Sequence, residues 1–289
     1  MSAFTVGGGV EWPVEPGRYR IVVSRACPWA SRVLVVLRLL GLEDVVSVAY
    51  ADPIQDEHGW GFPGGDPVLG IRYLSEAYLA AGADHDGYSV PAVVDVPSGK
   101  LVTNDHEFIT VDLATRWGAY ARAGAPDLYP LELRDEIDAV NRRLAHDVNY
   151  GVYTCGFATS QAEYDKAYGL LFAALDELNS RLAGQRYLVG SQITEADIRL
   201  FTVLVRFDVV YHGHFKCNRS KLTEMPVLWA YARDLFQTPG FGETVDFEEI
   251  KLHYHRVHTE INPSRIIPGG PDLSGWLTPH NRQTPKVPS

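Results

Sequence analysis

Residues 19–23, Tyr-Arg-Ile-Val-Val, form a short β-branched run between Gly17 and Ser24, which predicts a buried strand. After a loop over residues 25–29 the period changes. Trp29, Val33, Val36, Leu37 and Leu40 recur at three- and four-residue steps, predicting a helix over 28–40 with Gly41 as its C-cap. Residues 45–50 read as a second strand, and a strand–helix–strand order favours a right-handed parallel crossover. Residues 51–88 lose regular periodicity apart from a helical stretch over 73–81, and a long irregular segment in a compact domain marks a functional loop. Residues 90–95 and 101–103 flank the turn 97–100 and predict a β-hairpin. A helix follows over about 105–122, with Ile109, Leu113 and Trp117 on one face.

Past a linker at 126–130 the strand signals fade. Helical patterns cover 131–148, 161–182, 195–211 and 225–236, and the Pro/Gly-rich tail from Ile261 is expected to be extended. The pattern predicts an α/β domain over 1–125 with an insertion at 51–88, then an all-α domain over 131–289. A length of 289 residues, 46% hydrophobic, suits two cores better than one.

Charge and cysteine usage narrow the class. A formal net charge of −10 repels phosphate backbones, so nucleic acid is not the expected partner. No apolar run reaches the length of a membrane span, and residues 1–10 lack the basic and apolar regions of a secretory signal. The three cysteines, Cys27, Cys155 and Cys217, lie far apart, which argues against a disulfide framework and for a reducing cytoplasm.

Cys27 carries the chemistry. It follows a strand and opens a helix whose next residue is Pro28, a residue suited to the first helical turn. The unpaired N–H groups and positive dipole end of that turn stabilise a thiolate, the nucleophilic form. Arg25 and Arg32 are candidates for further positive potential. Taken alone, the residue also fits a buried structural cysteine; its place in a strand-to-helix loop before proline favours reactivity. Three residues on stands Ala30, so there is no Cys-x-x-Cys pair. The expected cycle is monothiol, with a mixed disulfide released by a second small thiol. Val90-Pro91 opens the next strand where thioredoxin-like domains place a cis-proline, predicting a Val90 backbone turned toward the thiol. Thr194 and Asp197 form a capping box with Ile193 and Ile198 as its hydrophobic staple, a structural device.

Together, Cys27-Pro-Trp-Ala30, Val90-Pro91, Asn149-Tyr-Gly-Val-Tyr153 with Gly156-Phe-Ala158, Gly213-His-Phe-Lys-Cys-Asn218, Ile261-Asn-Pro263 and Ile267-Pro-Gly-Gly-Pro271 resemble the Xi-class glutathione transferases, the glutathionyl-hydroquinone reductases. The resemblance covers about residues 19–271. It implies the glutathione transferase fold, a thioredoxin-like domain plus an all-α domain, usually homodimeric. It implies removal of glutathione from hydroquinone thioethers, with Cys27 as nucleophile and Tyr153 and Tyr254 at the quinone-type electrophile. Pro28, Trp29, Trp60, Val90, Pro91, Asn104, Asp105 and His106 are the implied thiol-binding residues, and no metal is implied. One departure stands out. The family usually carries Asn-Glu-Ser where this chain has Asn104-Asp105-His106, and the Arg it places late in the insertion has no clear match in the region of Ala80, Ala81 and Gly82. Both losses fall on contacts to a γ-glutamyl arm. Mycothiol, a cysteinyl thiol without that arm, is therefore the alternative to glutathione, and the dominance of Arg over Lys fits its GC-rich actinobacterial producers.

Tyr150 is a weaker candidate than Tyr153 or Tyr254, since tyrosine is common at half-buried packing sites. Cys155 and Cys217 read as buried small hydrophobes. His253, His255 and His258 are not spaced to share one helix face as metal ligands. The competing functions are another monothiol dethiolating or dehalogenating transferase, and a non-catalytic binding protein of the same fold.

Overall fold

The computed structural model describes residues 12–83 and 88–282. The first residues, 1–11, lie outside them, as do positions 84–87 of the insertion and 283–289 of the tail. The chain divides into two compact units, one of Met1–Pro126 with Thr244–His253, the other of Asp127–Glu243 with Tyr254–Ser289.

The first unit is built on a four-stranded sheet in the order β2-β1-β3-β4, comprising β1 (Tyr19–Val23), β2 (Ser47–Tyr50), β3 (Ala92–Asp95) and β4 (Lys100–Thr103). β1 pairs parallel with β2 and antiparallel with β3, so the expected crossover and hairpin are both present. The crossover helix is α1 (Pro28–Leu40). The sequence pattern gives it one apolar stripe, yet eleven of its residues are buried, including Ser31 and Arg32. A helix covered on nearly every side is what its almost continuous aliphatic run Val33–Leu37 requires. Gly41 ends it in the left-handed region at φ 68°, where a Cβ would stand 2.8 Å from Arg122 Cβ, so only glycine fits.

The insertion is more ordered than its sequence suggests. It carries α2 (Ser75–Ala80) and folds back on itself: Leu74 N donates to Trp60 O (2.9 Å), Phe62 N to Arg72 O (2.9 Å) and Asp52 N to Gly61 O (2.8 Å). A buried ion pair, Arg20 to Asp66 at 2.6 Å, ties it to β1. The helix expected over 105–122 is shorter, with α3 at Ile109–Thr115 and a 3₁₀ turn at Gly118–Tyr120.

The second unit contains α4 (Arg134–Arg143), α5 (Gly151–Gly156), α6 (Gln161–Gly184), α7 (Glu195–Arg206) and α8 (Pro226–Phe236). A further helix, α9 (Phe247–Val257), begins in the first unit, which takes it to His253, and continues in the second from Tyr254. All twelve residues of α7 are buried. Its N-terminus has the expected capping box, and Asp197 there accepts from Leu188 N (2.8 Å), Thr194 N (2.8 Å) and Tyr231 Oη (2.7 Å). Two helices that the periodicity extends as α-helix end in π-helical turns instead, at Leu144–Asn149 and Phe207–Tyr211. No helix of the described residues is long and apolar enough to cross a membrane.

Candidate active site

Cys27 is the N-cap residue of α1, extended at φ −76° and ψ 123°, with Pro28 in the first turn. An N-cap side chain lies beside the N–H groups that a helix cannot pair internally, so the sulfur sits at the positive end of the α1 dipole. Its loop is rigid: Cys27 N donates to Ser24 O (3.1 Å), and Ser31 N and Oγ both donate to Cys27 O (3.0 Å each). The thiol donates to Val90 O at 3.4 Å. The Val90–Pro91 bond is cis, as the sequence reading expects. Cys27 is 9% exposed, against 1% for Cys155 and 0% for Cys217.

The residues around this thiol hold one another. Ser89, just before Val90, accepts from Asn104 Nδ2 at its Oγ (3.2 Å) and from Tyr78 Oη at its carbonyl (2.8 Å). Asn104 thus fixes the segment that presents the Val90 carbonyl. Asp105 is turned inward on its own loop, its Oδ1 accepting from Glu107 N at 3.2 Å. Trp29 meets the His106 ring edge-on at 5.5 Å. His106 Nε2 lies 3.4 Å from Glu107 Oε1, which in turn lies 3.7 Å from Nη1 of the buried Arg32. The guanidiniums read from sequence as positive potential are each matched to a carboxylate. Arg32 faces Glu107; Arg25 pairs with Glu249 at 3.1 Å while covering the Tyr50 ring at 4.2 Å.

Trp60 is buried in the first unit and stacks on His253 at 5.3 Å and 14°. His253 Nδ1 is 2.6 Å from Pro53 O. Neither Glu107, facing Arg32 and His106, nor His253, stacked on Trp60, is foreseen as their partner. Glu107 was open to inference as the residue after the Asn104-Asp105-His106 run; His253 was hidden because His-Tyr-His-Arg gives no apolar period for α9.

In the second unit the expected tyrosines meet. Tyr153 Oη and Tyr254 Oη share a hydrogen bond of 2.5 Å, and Tyr254 Oη shares another of 2.9 Å with Tyr211 Oη. Tyr211 is absent from the sequence reading; it lies on a π-helical turn, whose extra residue shifts the helical phase without leaving a mark in composition. Tyr211 and Tyr254 are buried, Tyr153 is half-buried and Tyr150 is exposed. Burial, with Tyr211 adding to it against the opposing charge of Arg206, holds the Tyr254 phenol well above its ordinary range, so it remains a proton donor. Phe157 and Phe215 wall Tyr153, with ring centroids at 6.4 and 5.1 Å. Among the described residues no group of three or more His, Cys, Asp or Glu is arranged to hold a metal ion.

A helix-capping thiol with no neighbouring cysteine in its loop, in one unit, and a phenol chain in another make a recognisable combination. Residues 161–234 match the glutathione S-transferase C-terminal domain. Over 277 residues the chain is 43% identical to the glutathionyl-hydroquinone reductase YqjG of Escherichia coli (strain K12), covering 93% of this chain and 83% of that one. The chain belongs to the glutathionyl-hydroquinone reductase family, the Xi-class glutathione transferases. Solved structures of Xi-class and related glutathione transferases agree. One from Gordonia bronchialis is 61% identical with a TM-score of 0.92, covering 93% of this chain and 86% of that one. The Xi-class enzyme of Natrialba magadii is 42% identical with a TM-score of 0.91, covering 95% and 88%. The glutathione-bound structure of YqjG gives 42% and 0.89, covering 96% and 91%.

As a member of the Xi class, the chain is an enzyme with the glutathione transferase fold.

Proposed function

We propose that the protein is a thiol-dependent reductase that strips a low-molecular-weight thiol from hydroquinone thioethers through a mixed disulfide at Cys27. The observation that carries this reading is the Cys27 sulfur at the α1 N-terminus, 3.4 Å from the Val90 carbonyl, with no second cysteine in its loop. The Cys27 thiolate attacks the thioether sulfur. The Cys27–sulfur bond forms as the ring carbon–sulfur bond breaks, and the ring carbon keeps the electron pair and takes a proton, giving the free hydroquinone. A second thiol molecule then attacks the mixed disulfide and leaves as a disulfide, restoring Cys27. The net change is conjugate plus thiol to hydroquinone plus disulfide.

Tyr153 and Tyr254 act on the electrophile, donating hydrogen bonds to quinol oxygens and proton density to the departing ring. Pro28, Trp29, Trp60, Val90, Pro91, Asn104, Asp105 and His106 form the thiol side. Val90 offers backbone groups to the cysteinyl part of the thiol, and Asn104 holds that backbone in place through Ser89.

Glutathione is the thiol named for the relatives, and its γ-glutamyl carboxylate sets the finer question. A carboxylate arriving near His106 meets Asp105 and Glu107, and the nearby Arg32 is buried against Glu107. The Arg that the family resemblance implies late in the insertion has no clear match, with Ala80, Ala81 and Gly82 in that region. Each missing charge-assisted hydrogen bond weakens binding by roughly 1.5–3 kcal/mol, so two weaken glutathione tens-fold or more. The reading is therefore a cysteinyl thiol lacking the γ-glutamyl arm, such as mycothiol, in a reducing cytoplasm. Steady-state reduction of matched glutathionyl and mycothiyl hydroquinones, each with its own thiol, tests it. A higher kcat/KM for the mycothiol pair is expected; an equal or higher value for the glutathione pair contradicts the preference and leaves the Cys27 chemistry standing.

A further inference from the structure

The proposed cycle uses one of three cysteines. The other two stand on segments that pack together: Cys155 at the end of α5 and Cys217 in the turn after the π-helical segment. Both are buried, and the Cys217 sulfur also faces Val152 O at 3.9 Å, one turn before Cys155. The two backbones are pressed close here. A Cβ on Gly156 would lie 2.3 Å from the Phe215 ring, so the residue after Cys155 already touches the loop that carries Cys217.

We propose that Cys155 and Cys217 are a dithiol that closes to an intramolecular disulfide under hydrogen peroxide. With the two segments already in contact, closure of a disulfide asks for side-chain rotation more than for backbone movement. Each thiol acts on the other, favouring the thiolate at Cys155 and disfavouring it at Cys217, where burial acts in the same direction. Cys155 is accordingly the attacking sulfur. Its thiolate displaces hydroxide from the peroxide O–O bond and becomes a sulfenic acid. The Cys217 sulfur then attacks the sulfenyl sulfur, the S–S bond forms, and water leaves with the Cys217 proton. Two thiols and one peroxide become one disulfide and two waters. Peroxide is small enough to reach a buried pair through local opening. On the proposed function it also arises nearby, because free hydroquinones reduce dioxygen to peroxide as they oxidise; only this source, and not the closure, rests on that reading.

Cys155 lies two residues after Tyr153 and Cys217 two residues after Phe215, whose rings meet at 5.1 Å. The disulfide therefore clamps the two segments that wall Tyr153. The test is peptide mapping of Cys27→Ser protein, and of native protein with Cys27 alkylated beforehand, after peroxide treatment and alkylation in denaturant. The expected result in both is a peptide pair joined through Cys155 and Cys217 that dithiothreitol separates, and its loss in Cys155→Ala with Cys217 recovered as a thiol. Full alkylation of both residues after a peroxide dose that oxidises Cys27 in the untreated parent overturns the proposal. So does over-oxidation of either cysteine without the joined pair.

Discussion

At the scale of single residues, the proposed chemistry rests on the position of Cys27 at the N-cap of α1 as much as on its identity. Cys27→Ala is expected to reduce hydroquinone release to background while the protein keeps its circular dichroism spectrum. Cys27→Ser keeps a weak nucleophile but forms no mixed disulfide, so any remaining activity is expected to be conjugation. Native alkylation with one equivalent of iodoacetamide at neutral pH should label Cys27 and spare Cys155 and Cys217, which are more deeply buried. Tyr254→Phe removes the hydroxyl that joins Tyr153 to Tyr211 and should lower kcat by about 10- to 100-fold with little change in KM for the thiol. His214 yields a pH prediction. Burial, with His255 and Lys216 adding to it, lowers its pKa to about 4 from the ordinary 6.5. Its other close ring partner is His258, at 3.3 Å between ring nitrogens. Between these values the unfolded chain holds the extra proton, so stability is full above pH 6.5, falls as the pH drops and levels near 4. The loss is on the order of 3 kcal/mol, and His214→Gln should flatten that part of a urea-midpoint profile.

At the scale of elements, strands and caps were legible while helix ends were not. β1, α1 and the β3–β4 hairpin follow from local signals: a β-branched run, Pro28, Gly41 and the turn after Asp95. The capping box of α7 was readable because Thr194 and Asp197 state it three residues apart. The π-helical turns were not, since an inserted residue inside a helix changes hydrogen bonding without changing apolar composition. That is why Tyr153 and Tyr254 were named through resemblance, while Tyr211, hydrogen-bonded to Tyr254, was not. α9 was missed for a different reason: its His-rich sequence packs through aromatic rings where the pattern looks for aliphatic ones. The α7 cap also gives a stability test. Asp197→Ala leaves donors at Leu188, Thr194 and Tyr231 without their buried acceptor, and should cost roughly 3 kcal/mol or more in urea unfolding.

At the scale of the whole molecule, family membership settles fold and enzyme class. The protein is expected to be a homodimer, and light scattering coupled to size-exclusion chromatography checks this; a mass near 32.1 kDa contradicts it. The candidate thiol-side residues could be named from the sequence, but their electrostatics could not. Sequence marked Arg25 and Arg32 as cations, whereas the fold gives each a carboxylate, an outcome set by residues Glu249 and Glu107 far along the chain. The central claim is that thiol transfer passes through Cys27. The most direct measurement is a single turnover: enzyme mixed with a stoichiometric thiol–hydroquinone conjugate and no free thiol, then analysed by intact-mass spectrometry and peptide mapping. One thiol adduct on Cys27 per hydroquinone released, cleared by added thiol, is expected. Hydroquinone release without an adduct, or with the adduct on another residue, contradicts it.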